Sequence, residues 1–185
     1  MPTLHIVLVP MFTALTIIGS LIKIPIPISP IPLTLQVLFV ILSGALLGSK
    51  LGAISQLLYA ILGLIGLPVF AQGGGISYIL KPSFGYIIGF IISSYLIGKI
   101  IEYRKKKNLF TFLLANLVGI IIIYIIGVIY MFLIINFVTL TPISIYQAVI
   151  IGALPFIFKE LILVVFVTII AHKVFHQISN YRSNI

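Results

Sequence analysis

The sequence has no cysteine, no tryptophan and only two acidic residues among 185. Without cysteine there is no disulfide and no thiolate metal site. Without tryptophan, tyrosine must supply the amphipathic rings of a membrane interface. The two acids are Glu102 and Glu160. No carboxylate pair, H-E-x-x-H or G-x-S-x-G motif is present, so the chain does not read as an enzyme. No run fits G-x-x-x-x-G-K-[ST] either; Gly44-Ala-Leu-Leu-Gly48-Ser-Lys50 misses in spacing and order. Nucleotide hydrolysis by that route is therefore excluded, and any ATP-driven step falls to another subunit. Charge as a whole is scarce. Charged residues make up 7% of the chain, where a soluble domain needs about a quarter to cover its surface.

What fills the chain instead is hydrocarbon: 62% of the residues are hydrophobic. Its solvent must be mostly lipid, and its length reads as a count of membrane crossings of about 20 residues each. The pattern predicts an all-α integral membrane protein, a single transmembrane domain over 1–185, with six spans at about 4–22, 33–47, 51–67, 84–101, 109–137 and 145–171. The first stretch lacks a basic start and exceeds a usual signal core, so it is expected to stay as a membrane helix. Four prolines between Lys23 and Pro32 disfavour helix and predict an extended loop. Gly73-Gly-Gly75 predicts a loop or re-entrant segment after the third span. Pro155 is expected to break the last stretch, with the crossing proper starting near it.

The net charge is +9. The basic residues flank apolar segments, which points to the lipid bilayer and to orientation rather than to nucleic acid. With six spans, one side carries Lys50, Lys99, Arg104, Lys105, Lys106, Lys107, Lys173 and Arg182, and the other Lys23, Lys81 and Lys159. The positive-inside rule then makes both termini cytoplasmic in a multi-pass cell-membrane protein, with the Pro-rich and Gly-rich loops outside.

Few residues are left for chemistry. Glu102 sits beside the basic loop and reads as a solvated charge. His172 and His176 share a helix face four residues apart, and with His5 they read as interfacial polar residues rather than ligands. Gly85, Gly89, Gly119 and Gly152 read as close-packing positions between helices. Lys159-Glu160 stands out, because intramembrane charges are costly and face a cavity or pair with something. Two readings stand side by side: ligand binding near the outer surface, or a structural ion pair with a snorkelling lysine. Neighbours on a helix point about 100° apart, so the two side chains are not expected to share one direction. Gln72-Gly-Gly-Gly75 has two readings as well, backbone donors approaching a ligand or a flexible turn.

Two stretches are distinctive. One is Ile22-Lys-Ile-Pro-Ile-Pro-Ile-Ser-Pro-Ile-Pro-Leu-Thr-Leu-Gln-Val-Leu-Phe-Val40; the other runs from Leu46 through Ser55-Gln-Leu-Leu-Tyr59 to Ala71. Both closely resemble BioY, the biotin-specific S component of energy-coupling factor (ECF) transporters. Lys81-Pro-Ser-Phe-Gly-Tyr-Ile-Ile-Gly-Phe90 is similar to that family's G-P-T-G-G-Y-x-x-G-F segment, and Ala153-Leu-Pro-Phe-Ile-Phe-Lys-Glu-Leu-Ile162 to its L-P-F-x-P-G-D-x-x-K motif. The resemblance spans nearly the whole chain.

It implies an S-component-like bundle of six helices with a pocket near the outer face. It also implies a chain that captures biotin and has no cofactor of its own. An ECF coupling transmembrane protein and two cytoplasmic ATPases would be its partners, and those ATPases alone would use ATP. By resemblance Glu160 replaces the family's aspartate and would accept from the biotin ureido N–H groups. Phe70, Tyr78 and Tyr86 would pack the hydrocarbon, Gln72 and Gly74 would flank the ligand, and Lys81 or Lys159 would meet its carboxylate. Leu163 stands where the family has a lysine, which leaves a related vitamin or a biotin precursor open. The remaining alternative is a secondary transporter working alone. The family's A-x-x-x-A coupling face on the first helix is represented by Ala14, followed by Ile18, and by Thr16 and Ser20 on an adjoining face.

Overall fold

The computed structural model describes residues 2–183, with side chains from 6 to 177; the side chains of His5 and Arg182 lie outside the described residues. The chain runs α1 (Pro2–Leu21), β1 (Lys23–Ile24), β2 (Leu33–Thr34), α2 (Gln36–Leu47), α3 (Ser49–Leu64), a 3-10 turn (Ile76–Leu80), α4 (Phe84–Tyr103), α5 (Leu109–Phe137), α6 (Ile145–Gly152) and α7 (Leu154–Ser183). Among the described residues, three helical stretches are long and apolar enough to cross a membrane: Phe84–Tyr103, Leu109–Phe137 and Leu154–Gln177. The apolar helices α2 (Gln36–Leu47) and α3 (Ser49–Leu64) are shorter, as is the part of α1 whose side chains are described, Ile6–Leu21.

Local chemistry explains the boundaries. The turn between α2 and α3 rests on Gly48 at φ 84°, where a side chain would be strained. Asn108 starts α5, its side-chain oxygen accepting from Thr111 N at 3.0 Å. Ser144 and Gln147 close a reciprocal capping box at the start of α6. The stretch 145–171 is two helices rather than one, because Pro155 has no N–H to offer Ile151 and instead falls in the first turn of α7, where that donor is not needed.

Two other expectations change. The Pro-rich loop is pinned at its base by antiparallel pairing of Lys23 with Thr34 and Ile24 with Leu33, so a short strand pair interrupts the all-α pattern. The prolines lie between the paired residues, where no ladder donor is required. Residues 33–35 accordingly precede α2 rather than opening it. Glu102 is not simply solvated. Its carboxylate accepts from Ser49 N and Ser49 Oγ, both at 2.7 Å, and so caps the N-terminus of α3 from the end of α4.

α4 packs most extensively against α5, and α2 and α3 pack against α4. Close approach needs glycine: a Cβ on Gly89 would stand 3.0 Å from Ile123 Cα. The interior also holds polar groups that bond between helices. Thr13 Oγ1 donates to Ser55 O (2.9 Å), Ser43 and Ser94 share a hydrogen bond of 2.9 Å, and Asn116 Nδ2 donates to Thr168 Oγ1 (3.0 Å). Where lipid offers no partner, such bonds must be internal.

α4 starts beside the 3-10 turn and ends at the basic loop 104–107, so these two loops lie at opposite ends of the bundle. The strand pair belongs to the former end. Gln72 Nε2 donates to Pro30 O (3.1 Å) and Lys23 Nζ to Ala71 O (2.6 Å), tying the Pro-rich and Gly-rich loops together.

Candidate ligand site

Beneath these two tied loops is a small cavity that opens between them. Its apolar wall comes from Ile31 and Pro32 of the hairpin, Val37 of α2, Ile87 and Phe90 of α4 and Phe156 of α7. The polar wall comes from Thr34, Gln36, Tyr59, Tyr78, Ser83, Tyr86, Tyr124, Lys159 and Glu160. Small size and apolar walls with a few convergent polar groups are the marks of a small-molecule site.

Glu160 is the chemical centre. It is 2% exposed. Its Oε1 accepts from Lys159 Nζ at 2.8 Å and from Tyr124 OH at 2.9 Å. Its Oε2 is buried and has no hydrogen-bond partner among the described residues. A buried carboxylate oxygen without a donor is costly, so the cavity has a built-in demand for one. Lys159 Nζ also donates to Thr34 O at 2.7 Å, linking α7 to the hairpin. Adjacent positions on α7 thus do converge, because the long lysine stem bends back to its neighbour's carboxylate.

From Thr34 the bonding continues across the cavity. Thr34 Oγ1 donates to Gln36 Oε1 (3.0 Å), Gln36 Nε2 to Tyr59 OH (2.7 Å) and Tyr59 OH to Val69 O (3.3 Å). On the facing side Tyr86 OH donates to Gly152 O at 2.7 Å, across the α6–α7 break. Ser83 Oγ donates to Tyr78 OH at 3.1 Å. Burial raises the Tyr78 phenol above its ordinary value, so this ring stays neutral.

Of the residues singled out from the sequence, Glu160, Lys159, Tyr78 and Tyr86 meet in this cavity. The other four do not line it. Phe70 is buried behind the wall, with ring centroids 5.3 Å from Tyr59 and 4.5 Å from Tyr78. Gln72 spends its amide on the loop-to-loop tie. Gly74 is required by packing, since a Cβ there would run into the Leu67 carbonyl. Lys81 Nζ donates to Gln72 O at 2.8 Å and sits 4.9 Å from the Tyr78 ring centroid. On α1, Ala14 is exposed, but Thr16 and Ser20 are fully buried. Thr16 hydrogen-bonds to Gln56 (3.3 Å) and Ser20 to Val69 O (2.6 Å), so both serve the bundle interior and not its outer face.

Thr34, Gln36, Tyr59, Ser83 and Tyr124 were not anticipated as lining residues. Thr34, Gln36 and Tyr59 do fall inside the distinctive stretches quoted above, which was the available signal. Tyr124 had none, lying in an unbroken apolar run of α5.

Known proteins match the chain along its length. The BioY family model matches residues 1–180. A probable biotin transporter BioY of Lysinibacillus sphaericus is 48% identical over 72% of this chain and 67% of its own length. One from Pyrococcus horikoshii is 42% identical over 90% and 93% of the two chains, and a biotin transporter BioY of Thermotoga maritima 39% identical over 86% and 89%. A crystal structure of the S-component for biotin from an ECF-type ABC transporter superposes with a TM-score of 0.82 at 30% identity, covering 94% of this chain and 91% of that one. Extent and identity agree with the architecture: this chain belongs to the BioY family.

Proposed function

We propose that the chain is the biotin-capturing membrane subunit of an ECF-type importer. The observation that carries this is the unpartnered Oε2 of Glu160 in the wall of a small, largely apolar cavity. Biotin offers what that wall lacks: N–H donors on a neutral cyclic urea, attached to a hydrocarbon body. In this reading a urea N–H bonds to Glu160 Oε2, while Tyr86, Phe90 and Phe156 enclose the ring system. The names of the family relatives support biotin as the ligand.

The membrane placement follows the same reading. The apolar helices α1, α2 and α3 complete a six-crossing bundle as one transmembrane domain, with both termini cytoplasmic and the tied loops outside. The basic loop 104–107 supports that polarity by the positive-inside rule. Energy comes from partners, a coupling transmembrane protein and two cytoplasmic ATPases, since the sequence carries no P-loop. The exposed face of α1 around Ala14 is the proposed contact with the coupling protein. Uptake of labelled biotin by cells that lack their own biotin importer tests this. Uptake should require this chain together with coupling protein and ATPases; equal uptake with this chain alone would point to a secondary transporter instead.

A further inference from the structure

Each of the three lysines at this end of the bundle is bonded to a protein oxygen, and only Lys159 lines the cavity. Lys23 Nζ is on Ala71 O, Lys81 Nζ on Gln72 O, and neither lysine lines the cavity. The lysine that does, Lys159, is neutralised by Glu160 at 2.8 Å and further held by Thr34 O. The cavity therefore contains one positive and one negative group, bonded to each other. Three of its tyrosine hydroxyls are spent as well, since Tyr59, Tyr86 and Tyr124 donate to protein oxygens; Tyr78 OH accepts from Ser83 Oγ and keeps its proton to donate, but it is a neutral donor and offers no positive charge. What the wall leaves unfilled is an acceptor, Glu160 Oε2.

A ligand carboxylate brought into such a space adds an uncompensated negative charge. Burying an unpaired charge costs several kcal/mol, and the one lysine in reach would have to abandon a buried glutamate to relieve it. A neutral N–H donor head has no such conflict. It fills the vacant acceptor and leaves the Lys159–Glu160 pair intact.

We infer that the site reads its ligand only at a neutral N–H donor head and does not recognise the ligand's carboxylate, so that carboxyl-amidated forms of the ligand are bound as well as the acid. The inference rests on the biotin reading above and narrows the chemical class it accepts. The carboxyl end stays at the mouth in water, and the specificity-determining group is the acceptor oxygen of Glu160.

The test is isothermal titration of the full chain in detergent with biotin and with its primary amide. The two dissociation constants should agree within about fivefold, since an exposed group contributes under about 1 kcal/mol. A lysine that read the carboxylate in a desolvated pair would make the amide weaker by about 30-fold or more. A loss beyond about fivefold overturns the inference and leaves biotin capture standing. Failure of both ligands to bind overturns the biotin reading itself, and the inference with it.

Discussion

Removing the Lys159 ammonium tests the electrostatic account of the cavity. Lys159→Met keeps most of the stem but leaves Glu160, 2% exposed, with Tyr124 as its one remaining hydrogen-bond donor. Breaking a buried pair from one side costs about 3–5 kcal/mol, because the surviving charge has no counter-ion. Protonation of Glu160 would cap that loss. Part of it is the bond to Thr34 O, worth about 1.5–3 kcal/mol as a charged hydrogen bond. The Thr34 part is lost in Lys159→Met and equally in the double variant Lys159→Met/Glu160→Gln, so a double-mutant cycle cancels it. Equilibrium unfolding in mixed micelles of the native chain, both single variants and the double variant gives the coupling. The double variant should be less destabilised than the sum of the singles by about 2 kcal/mol. Additivity within about 0.5 kcal/mol would refute the reasoning, because the two groups would then not depend on each other.

Three other outcomes are expected. Glu102→Ala removes both bonds to Ser49 and should cost about 1 kcal/mol of stability by thermal melting, with ligand binding unchanged. Gly89→Leu forces α4 away from Ile123 and should destabilise the bundle by about 3 kcal/mol or prevent its folding, read as loss of monodisperse protein in detergent. Tyr124→Phe takes one donor from Glu160 while keeping the ring, and should lower stability by about 1.5 kcal/mol in the same unfolding assay.

The membrane character and the helix limits at residues 84 and 109 were legible because apolar runs and their polar breaks are local signals. Pro155 marked the α6–α7 break for the same reason. Glu160 was legible as an ionisable group in an apolar run. The direction of Lys159 was not, because helix geometry fixes Cβ but not the end of a four-carbon stem. Thr16 and Ser20 show a similar limit. Their spacing defines a helix face, but only packing decides whether that face turns to another chain or, as here, into its own bundle. Gln36 and Tyr59 carry the hydrogen bonds across the cavity through partners 23 residues apart, a separation with no local pattern. Phe70 was placed one layer too far inward by its sequence neighbourhood, since an aromatic beside a loop looks the same whether it lines a cavity or backs its wall.

Equilibrium binding of biotin to the purified chain, with and without Glu160→Ala, tests the central claim most directly. The account predicts saturable binding at one site that weakens by at least about tenfold in the variant, the loss of a charged hydrogen bond of about 1.5–3 kcal/mol, with folding checked by thermal melting. Unchanged affinity in a folded Glu160→Ala protein would contradict it.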